Sequence, residues 1–281
     1  MTEQQAADAY CRVLATRHYE NFAVASRFVP PRIRLDLMRF YAFCRTTDDF
    51  GDESGTRHEA LARLSRWREQ AEEFFSGAPP VHPVFIALRE TVERYGLDKQ
   101  PFLDLIAANE QDQHVQAYRN WPQLRAYCML SAAPVGRVVL RFFGMANPVA
   151  ESLSDDVCIG LQLANHAQDV GRDAALGRRY LLQDDVEAGG IVVAVRSLVE
   201  RARTLLASGE ALERMAPAAL RFQLALYRLG GLSICSAIEG IGYRTDVRRP
   251  VVSKRTKMRI LMQAAVAAAG RAAQVNDATT A

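Results

Sequence analysis

Residues Pro30–Gly55 read PPRIRLDLMRFYAFCRTTDDFGDESG. Two prolines open the stretch and a glycine follows its end, the punctuation of a helix start and stop. Between them Leu37, Phe40, Tyr41 and Cys44 fall at i, i+3, i+4 and i+7, which lines one face of an α-helix. The same periodicity predicts helices near residues 58–76, 83–95, 101–117, 122–143, 152–175, 191–208, 216–243 and 253–275. Strand signals are nearly absent: there is no Asn-Gly turn, no sustained alternation, and only short β-branched runs such as Ile191–Val195. The fold class is therefore all-α.

The breaks between these segments are short, and no Ser/Gly linker or long charge block divides the chain. Residues 1–281 read as one domain of about ten helices. Tyr127–Phe143 and Leu220–Ile241 are apolar nearly all round and belong in the middle of such a bundle. Gly230, Gly231 and Gly240 suit close helix packing.

With 49% hydrophobic and 24% charged residues in 281, the chain has enough apolar surface to offset the entropy of ordering it, which excludes a disordered protein. Its 35 Lys and Arg against 32 Asp and Glu leave a net charge of only +3, and no nucleic-acid motif accompanies them, so nucleic acid is not an expected partner. The longest uncharged stretch, Phe74–Leu88, is 15 residues long and carries Pro79, Pro80 and Pro83, so it cannot span a bilayer as a helix. The opening MTEQQAADAY has neither a basic leader nor an apolar core, which makes the cytoplasm the default location. Cys11, Cys44, Cys128, Cys158 and Cys235 are far apart and set among apolar or small residues, and read as reduced core thiols. From Arg248 to Arg259 there are six basic residues and no acid; this run can close over an anion, touch anionic lipid, or simply be a solvated helix start.

Chemistry concentrates in two stripes. Asp48 and Asp52 stand four residues apart, so their carboxylates project from one helix face, which Tyr41 and Arg45 share. Farther along, Gln162, Asn165, Asp169 and Asp173 form a second stripe at spacings of three, four and four, flanked by apolar core residues. Carboxylates in apolar helices are costly to bury without a compensating cation. Two such helices facing each other would hold four carboxylates around a common cavity. Oxygen ligands at this density favour a hard divalent ion, and Mg²⁺ characteristically bridges carboxylates to a phosphate group. The predicted ligand is a diphosphate, with Arg45, Arg172, Arg178 and Arg179 supplying donors to its oxygens. The competing reading is a set of surface ion pairs on solvated helices. One Asp-x-x-x-Asp carries little weight; two, each preceded by polar residues on the same face, carry more.

These residues resemble the head-to-head prenyl synthases, the family of squalene, phytoene and presqualene-diphosphate synthases. YAFCRTTDDFGDE (Tyr41–Glu53) is similar to their first aspartate motif, and QLANHAQDVGRD (Gln162–Asp173) followed by GRRYL (Gly177–Leu181) to their second. LRAYCMLSAAPVG (Leu124–Gly136), GGLSICSAIEGIGY (Gly230–Tyr243) and RRPVVSK (Arg248–Lys254) extend the likeness over nearly the whole chain. The opening HYENFAVAS (His18–Ser26) and the Pro-Val-Gly ending at Gly136 resemble the bacterial hydroxysqualene synthases of hopanoid biosynthesis.

The resemblance implies an isoprenoid-synthase-like helical bundle around a central cavity. It implies that Asp48, Asp52, Asp169 and Asp173 hold Mg²⁺, with Tyr41 also catalytic. Phe22, Ser26, Arg45, Tyr127, Gln162, Asn165, Arg178 and Tyr180 would bind the substrate, presqualene diphosphate. Loss of diphosphate would leave a cyclopropylcarbinyl cation, stabilised by aromatic faces, that rearranges and is captured by water. No NADPH is expected. A presqualene-diphosphate synthase would supply the substrate and a hydroxysqualene reductase would consume the product, with the enzyme cytoplasmic or peripheral to the membrane. The alternatives are a sister synthase condensing two prenyl diphosphates, as presqualene-diphosphate and phytoene synthases do, and a non-catalytic helical relative used for assembly or lipid binding. The last would be expected to lose carboxylates from one stripe, and none is lost.

The chain also departs from the family pattern. Ala23 and Leu182 stand where proline is usual, Gly51 replaces alanine, and His166-Ala167 replaces an aromatic pair. These changes touch pocket shape and product more than the acidic ligands. A single histidine such as His166 reads first as a satisfied core or surface residue, although it can tune the cavity.

Overall fold

A computed structural model describes residues 1–17 and 29–269 of the chain. Among the described residues thirteen helices account for nearly all of the regular structure, and the all-α class holds. In chain order they are α1 (Glu3–Arg17), α2 (Pro31–Asp52), α3 (Arg57–Phe75), α4 (Pro83–Tyr95) and α5 (Gln100–Asp112). After a short strand β1 (Ala117–Tyr118) come α6 (Trp121–Ser131), α7 (Ala133–Phe142), α8 (Pro148–Gln168) and α9 (Val170–Ala175). A second strand β2 (Arg179–Leu182) precedes α10 (Gln183–Ala207), α11 (Gly209–Met215), α12 (Ala218–Glu239) and α13 (Lys254–Ala269).

Local chemistry explains most boundaries. Pro31, Pro83, Pro101, Pro122 and Pro148 occupy first turns, where a missing N–H costs nothing. Thr56 and Glu59 close a reciprocal capping box on α3, and Asn120 and Asn147 cap α6 and α8. Several expected helices are broken. The helix expected over 122–143 divides at Ala132, since Pro134 lacks the donor to continue it. The one expected over 216–243 begins after Pro217 and ends at Glu239, in a turn where Gly242 and Tyr243 are both left-handed. α10 starts eight residues before the expected Ile191 and bends at Gly189 and Gly190, which leave the helical region. The helix expected to reach residue 117 stops at Asp112, and β1 pairs in parallel with β2.

The described residues gather into two compact units. One comprises Met1–His114 with Arg137–Gly144; the other comprises Val115–Gly136 and the chain from Met145 onward. The first is built on α2, whose inner face carries Phe40 and Phe43. Phe43 stacks on Trp67 at 5.5 Å and meets the edge of Phe102 at 4.9 Å, while Trp67 donates its indole N–H to Thr47. The same helix buries Asp36 completely. Its carboxylate accepts from Thr91 (2.7 Å), Arg94 (2.8 Å) and Tyr95 (2.9 Å), which offsets its desolvation and makes it a structural acid.

In the second unit α8 packs against α10 and α12, and α13 covers α12. Gly231 allows this approach, since a Cβ there would lie 2.8 Å from Leu206; Gly230 faces open space, so only one of the pair serves the packing expected of both. All five cysteines are free thiols, and burial pushes Cys11 up to about 12 and Cys158 and Cys235 to about 11, as inert core thiols require. Among the described residues no helix is long and apolar enough to cross a membrane.

Candidate active site

The first carboxylate pair belongs to the first unit. Asp48 and Asp52 occupy successive turns at the C-terminal end of α2, both reached by solvent. Asn109 on α5 donates to Asp48 at 3.3 Å, and Gln113, one turn on, donates to the Gly51 carbonyl at 3.1 Å. This explains the unusual Gly51, because a Cβ there would come 2.7 Å from the Asn109 amide oxygen. Although water reaches Asp48, burial pushes its carboxyl up to about 7. The Asn109 hydrogen bond opposes that rise, Asp52 adds to it, Arg45 opposes it and Asp49 adds again. Arg45 itself pairs with Asp49 (2.5 Å) and Glu53 (2.7 Å), so its guanidinium is already engaged. Tyr41 is half-buried one turn before it, and burial raises its phenol.

The second pair belongs to the second unit. The sequence places Gln162, Asn165, Asp169 and Asp173 on one helix; in the structure α8 ends at Gln168, Asp169 caps it in a non-helical conformation, and Asp173 lies in the short α9. The two acids stay one turn apart because the Asp173 N–H donates to the Asp169 carbonyl at 2.8 Å. The break coincides with close packing: the Asp246 carbonyl sits 3.2 Å from where a Cβ on Gly171 would be. Gln162 is half-buried and Asn165 exposed on the last turns of α8.

Arg249 completes this corner. It forms a two-pronged ion pair with the Asp169 carboxylate and donates to Gln168 at 3.3 Å, while the Gln168 amide donates to the Pro250 carbonyl at 2.8 Å. The strap from Arg249 to Pro250 is thereby fastened over the second motif.

Beside the second pair stands an aromatic stack. The β1–β2 pairing, with Arg179 N–H donating to Gln116, sets Tyr180 next to Tyr118. Tyr127 from α6 stacks on Tyr180 at 5.6 Å, their hydroxyls 3.5 Å apart, and His166 stacks on the same Tyr180 ring at 3.7 Å. His166 is only 7% exposed, its Nε2 has no hydrogen-bond partner, and its Nδ1 lies 4.0 Å from Asp173. Burial lowers it to about 3, so the imidazole is neutral. It is a buried histidine, but not the satisfied one the sequence suggested. His166, Asp173, Arg178, Tyr180, Leu181 and Ile191 line a cavity of about 240 Å³.

The donor set suits a hard cation. Each unit supplies a pair of carboxylates one helical turn apart, and the raised Asp48 carboxyl is a group whose charged form a bound cation would stabilise. Among the described residues no three His, Cys, Asp or Glu side chains gather into a cage.

The model of the squalene/phytoene synthase family matches residues 15–256. The chain belongs to that family. It is 33% identical over 230 residues to the hydroxysqualene synthase of Sinorhizobium fredii, covering 75% of this chain and 77% of that one. It is 30% identical over 279 residues to phytoene synthase 3 of Zea mays, covering 90% of this chain but 64% of the relative, so it spans less than two thirds of that longer protein. Among solved structures, the squalene synthase HpnC from Alicyclobacillus acidocaldarius is 41% identical with a TM-score of 0.81, over 86% of this chain and 96% of that one. A dehydrosqualene synthase shares the fold at a TM-score of 0.82 and 23% identity, over 93% and 96%.

Against the squalene/phytoene synthase pattern, Leu182 keeps a backbone angle, φ −65°, that the usual proline would also adopt, and buries its side chain. Phe22, Ser26 and Ala23 lie outside the described residues. Asn109, Tyr118 and Arg249 are site residues that the sequence reading did not single out. Only Arg249 carried a signal, its membership of the basic run.

Proposed function

We propose that this chain is a hydroxysqualene synthase, converting presqualene diphosphate and water to hydroxysqualene and diphosphate. The reading is carried by the stacked Tyr127, Tyr180 and His166, whose imidazole lies 4.0 Å from Asp173, an aromatic wall beside what this reading makes the diphosphate end. The hydroxysqualene synthases among its relatives support the choice of branch.

On this reading Asp48 and Asp52 of the first unit and Asp169 and Asp173 of the second would hold Mg²⁺, which would supply positive charge to the departing diphosphate. Arg45 and Arg178 donate to the phosphate oxygens, Arg45 exchanging Asp49 and Glu53 for them, and Tyr41, Gln162 and Asn165 orient that end. Tyr127 and Tyr180 turn their ring faces to the carbocation left when the C–O bond breaks, and the buried wall keeps stray water out until rearrangement is complete. Water then bonds to the rearranged carbon and its proton leaves, so no hydride donor such as NADPH takes part. The two units act as one synthase domain, cytoplasmic or peripheral to the membrane, supplied by a presqualene-diphosphate synthase and followed by a hydroxysqualene reductase.

The test is product analysis of the purified chain with Mg²⁺ and, separately, presqualene diphosphate and farnesyl diphosphate. Hydroxysqualene from the first alone is expected, and EDTA stops it. A cyclopropyl diphosphate from farnesyl diphosphate would move the chain to the condensing branch, and turnover after rigorous chelation would remove the metal.

A further inference from the structure

The C-terminal helix leaves an apolar face uncovered. α13 buries Ile260 and Ala264 against Phe222 and Ala225 of α12, with Leu261, Ala267 and Ala268 filling in around them. On the opposite side Met258, Met262 and Val266 stand at i, i+4 and i+8, so they form one continuous stripe. They are 57%, 57% and 70% exposed, and Val247 and Val251 in the segment leading into the helix are 71% and 74% exposed. Scattered apolar residues need no explanation, but a stripe of three with two more just upstream does.

Charge says what covers it. Lys254, Arg255, Lys257 and Arg259 are all exposed on the first turns of the same helix, Arg248 precedes them, and no acid occurs from Val247 to Ala269. On a helical wheel Arg255 falls in line with the Met258–Met262–Val266 stripe one turn before it, while Arg259 borders one edge and Lys254 the other. An apolar stripe bordered by cations is the pattern of a helix lying in a membrane interface, its side chains sunk to the acyl boundary and its cations among anionic headgroups. A protein partner complementary to it would have to pair each cation with a carboxylate around an apolar centre; a bilayer containing anionic lipid supplies both features without further design.

We propose that α13 and the segment before it are a docking surface for the face of an anionic lipid bilayer. Arg249, in the same segment, is bonded to Asp169, so docking holds the second carboxylate pair next to the lipid from which a long prenyl chain would be drawn. That consequence rests on the proposed activity; the docking does not.

The experiment is co-sedimentation of the full chain with vesicles of mixed phosphatidylcholine and phosphatidylglycerol, with phosphatidylcholine alone as control. Binding to the anionic vesicles, weakened by salt, is expected. Arg255→Gln with Arg259→Gln lowers the partition coefficient about thirtyfold, and Met258→Ser with Met262→Ser lowers it roughly tenfold or more. Both double variants keep the circular dichroism of the parent, because all four side chains are exposed. Failure of the parent to bind, or equal binding by both variants, overturns the proposal. So does a parent dimer in sedimentation equilibrium that Met258→Ser with Met262→Ser dissociates, since a second copy would then be the occupant. Absence of hydroxysqualene synthesis with intact vesicle binding would instead count only against the activity.

Discussion

Asp48 and Asp36 sit on one helix and have opposite fates. Asp36 is fully buried yet fed by four hydrogen-bonding groups, Arg39, Thr91, Arg94 and Tyr95, whereas Asp48 keeps a single Asn109 donor and a carboxyl pushed up to about 7. An acid held short of partners is one poised for a cation. Asp48→Asn is therefore expected to lower turnover roughly a hundredfold or more while stabilising the metal-free protein. The folded state holds its proton up to about 7 where the unfolded chain releases it near 3.8, so stability falls as pH rises through that window. Thermal melts of parent and variant should converge at the acid end and separate at the alkaline end; a variant less stable than the parent throughout would show that Asp48 is a structural acid like Asp36. His166 gives the opposite sign. Its imidazole is near 6.5 unfolded and about 3 folded, so the fold binds fewer protons and loses stability as pH falls from 6.5 toward 3. His166→Phe, which keeps the stack on Tyr180, should flatten that acid limb, and an unchanged acid melt would mean that His166 is protonated in the fold. The one-turn spacing of the acids was legible in the sequence; the Asn109 contact was not, because it depends on α5 crossing α2 at Gly51, a contact between residues far apart in sequence.

At the scale of elements, periodicity located the long helices and missed where they bend. The break at Ala132 had its cause in view, Pro134, but the break at Asp169 did not, since no proline marks it, Asp169 caps the next helix without a side-chain bond, and the turn at Asp246 that presses on Gly171 is remote in sequence. β1 and β2 are too short to show alternation, yet they set Tyr180 beside Tyr118. The strap at Arg249 is the least legible element and the most testable. Its guanidinium holds the Asp169 carboxylate that the proposed Mg²⁺ must share. Removing a half-exposed ion pair of this kind should tighten Mg²⁺ binding by about two- to fivefold. Isothermal titration of Arg249→Gln without substrate measures this, and weaker binding in the variant would mean that the strap orders the site rather than competing with the ion.

At the scale of the whole molecule, the two Asp-x-x-x-Asp pairs fall one in each compact unit, while the family match runs through both. On the proposed synthase reading one metal-bridged diphosphate would be shared by both pairs, as the family's two aspartate motifs imply. This has a thermodynamic signature that does not need turnover. A ligand bound only to the folded state raises the melting temperature by mass action, by roughly a few degrees for a chain of this size near a hundredfold excess over its dissociation constant. Mg²⁺ with inorganic diphosphate should produce such a shift in calorimetry as a single transition, because stabilising both units at once couples their unfolding. Asp48→Asn and Asp169→Asn should each abolish the whole shift, and the double variant should lose no more than either single one, the non-additivity expected of groups sharing one ligand. If each variant instead lost part of the shift and the parts summed, the pairs would be two independent ion sites. The common cavity inferred from the two sequence stripes would then be wrong, even with every carboxylate correctly identified.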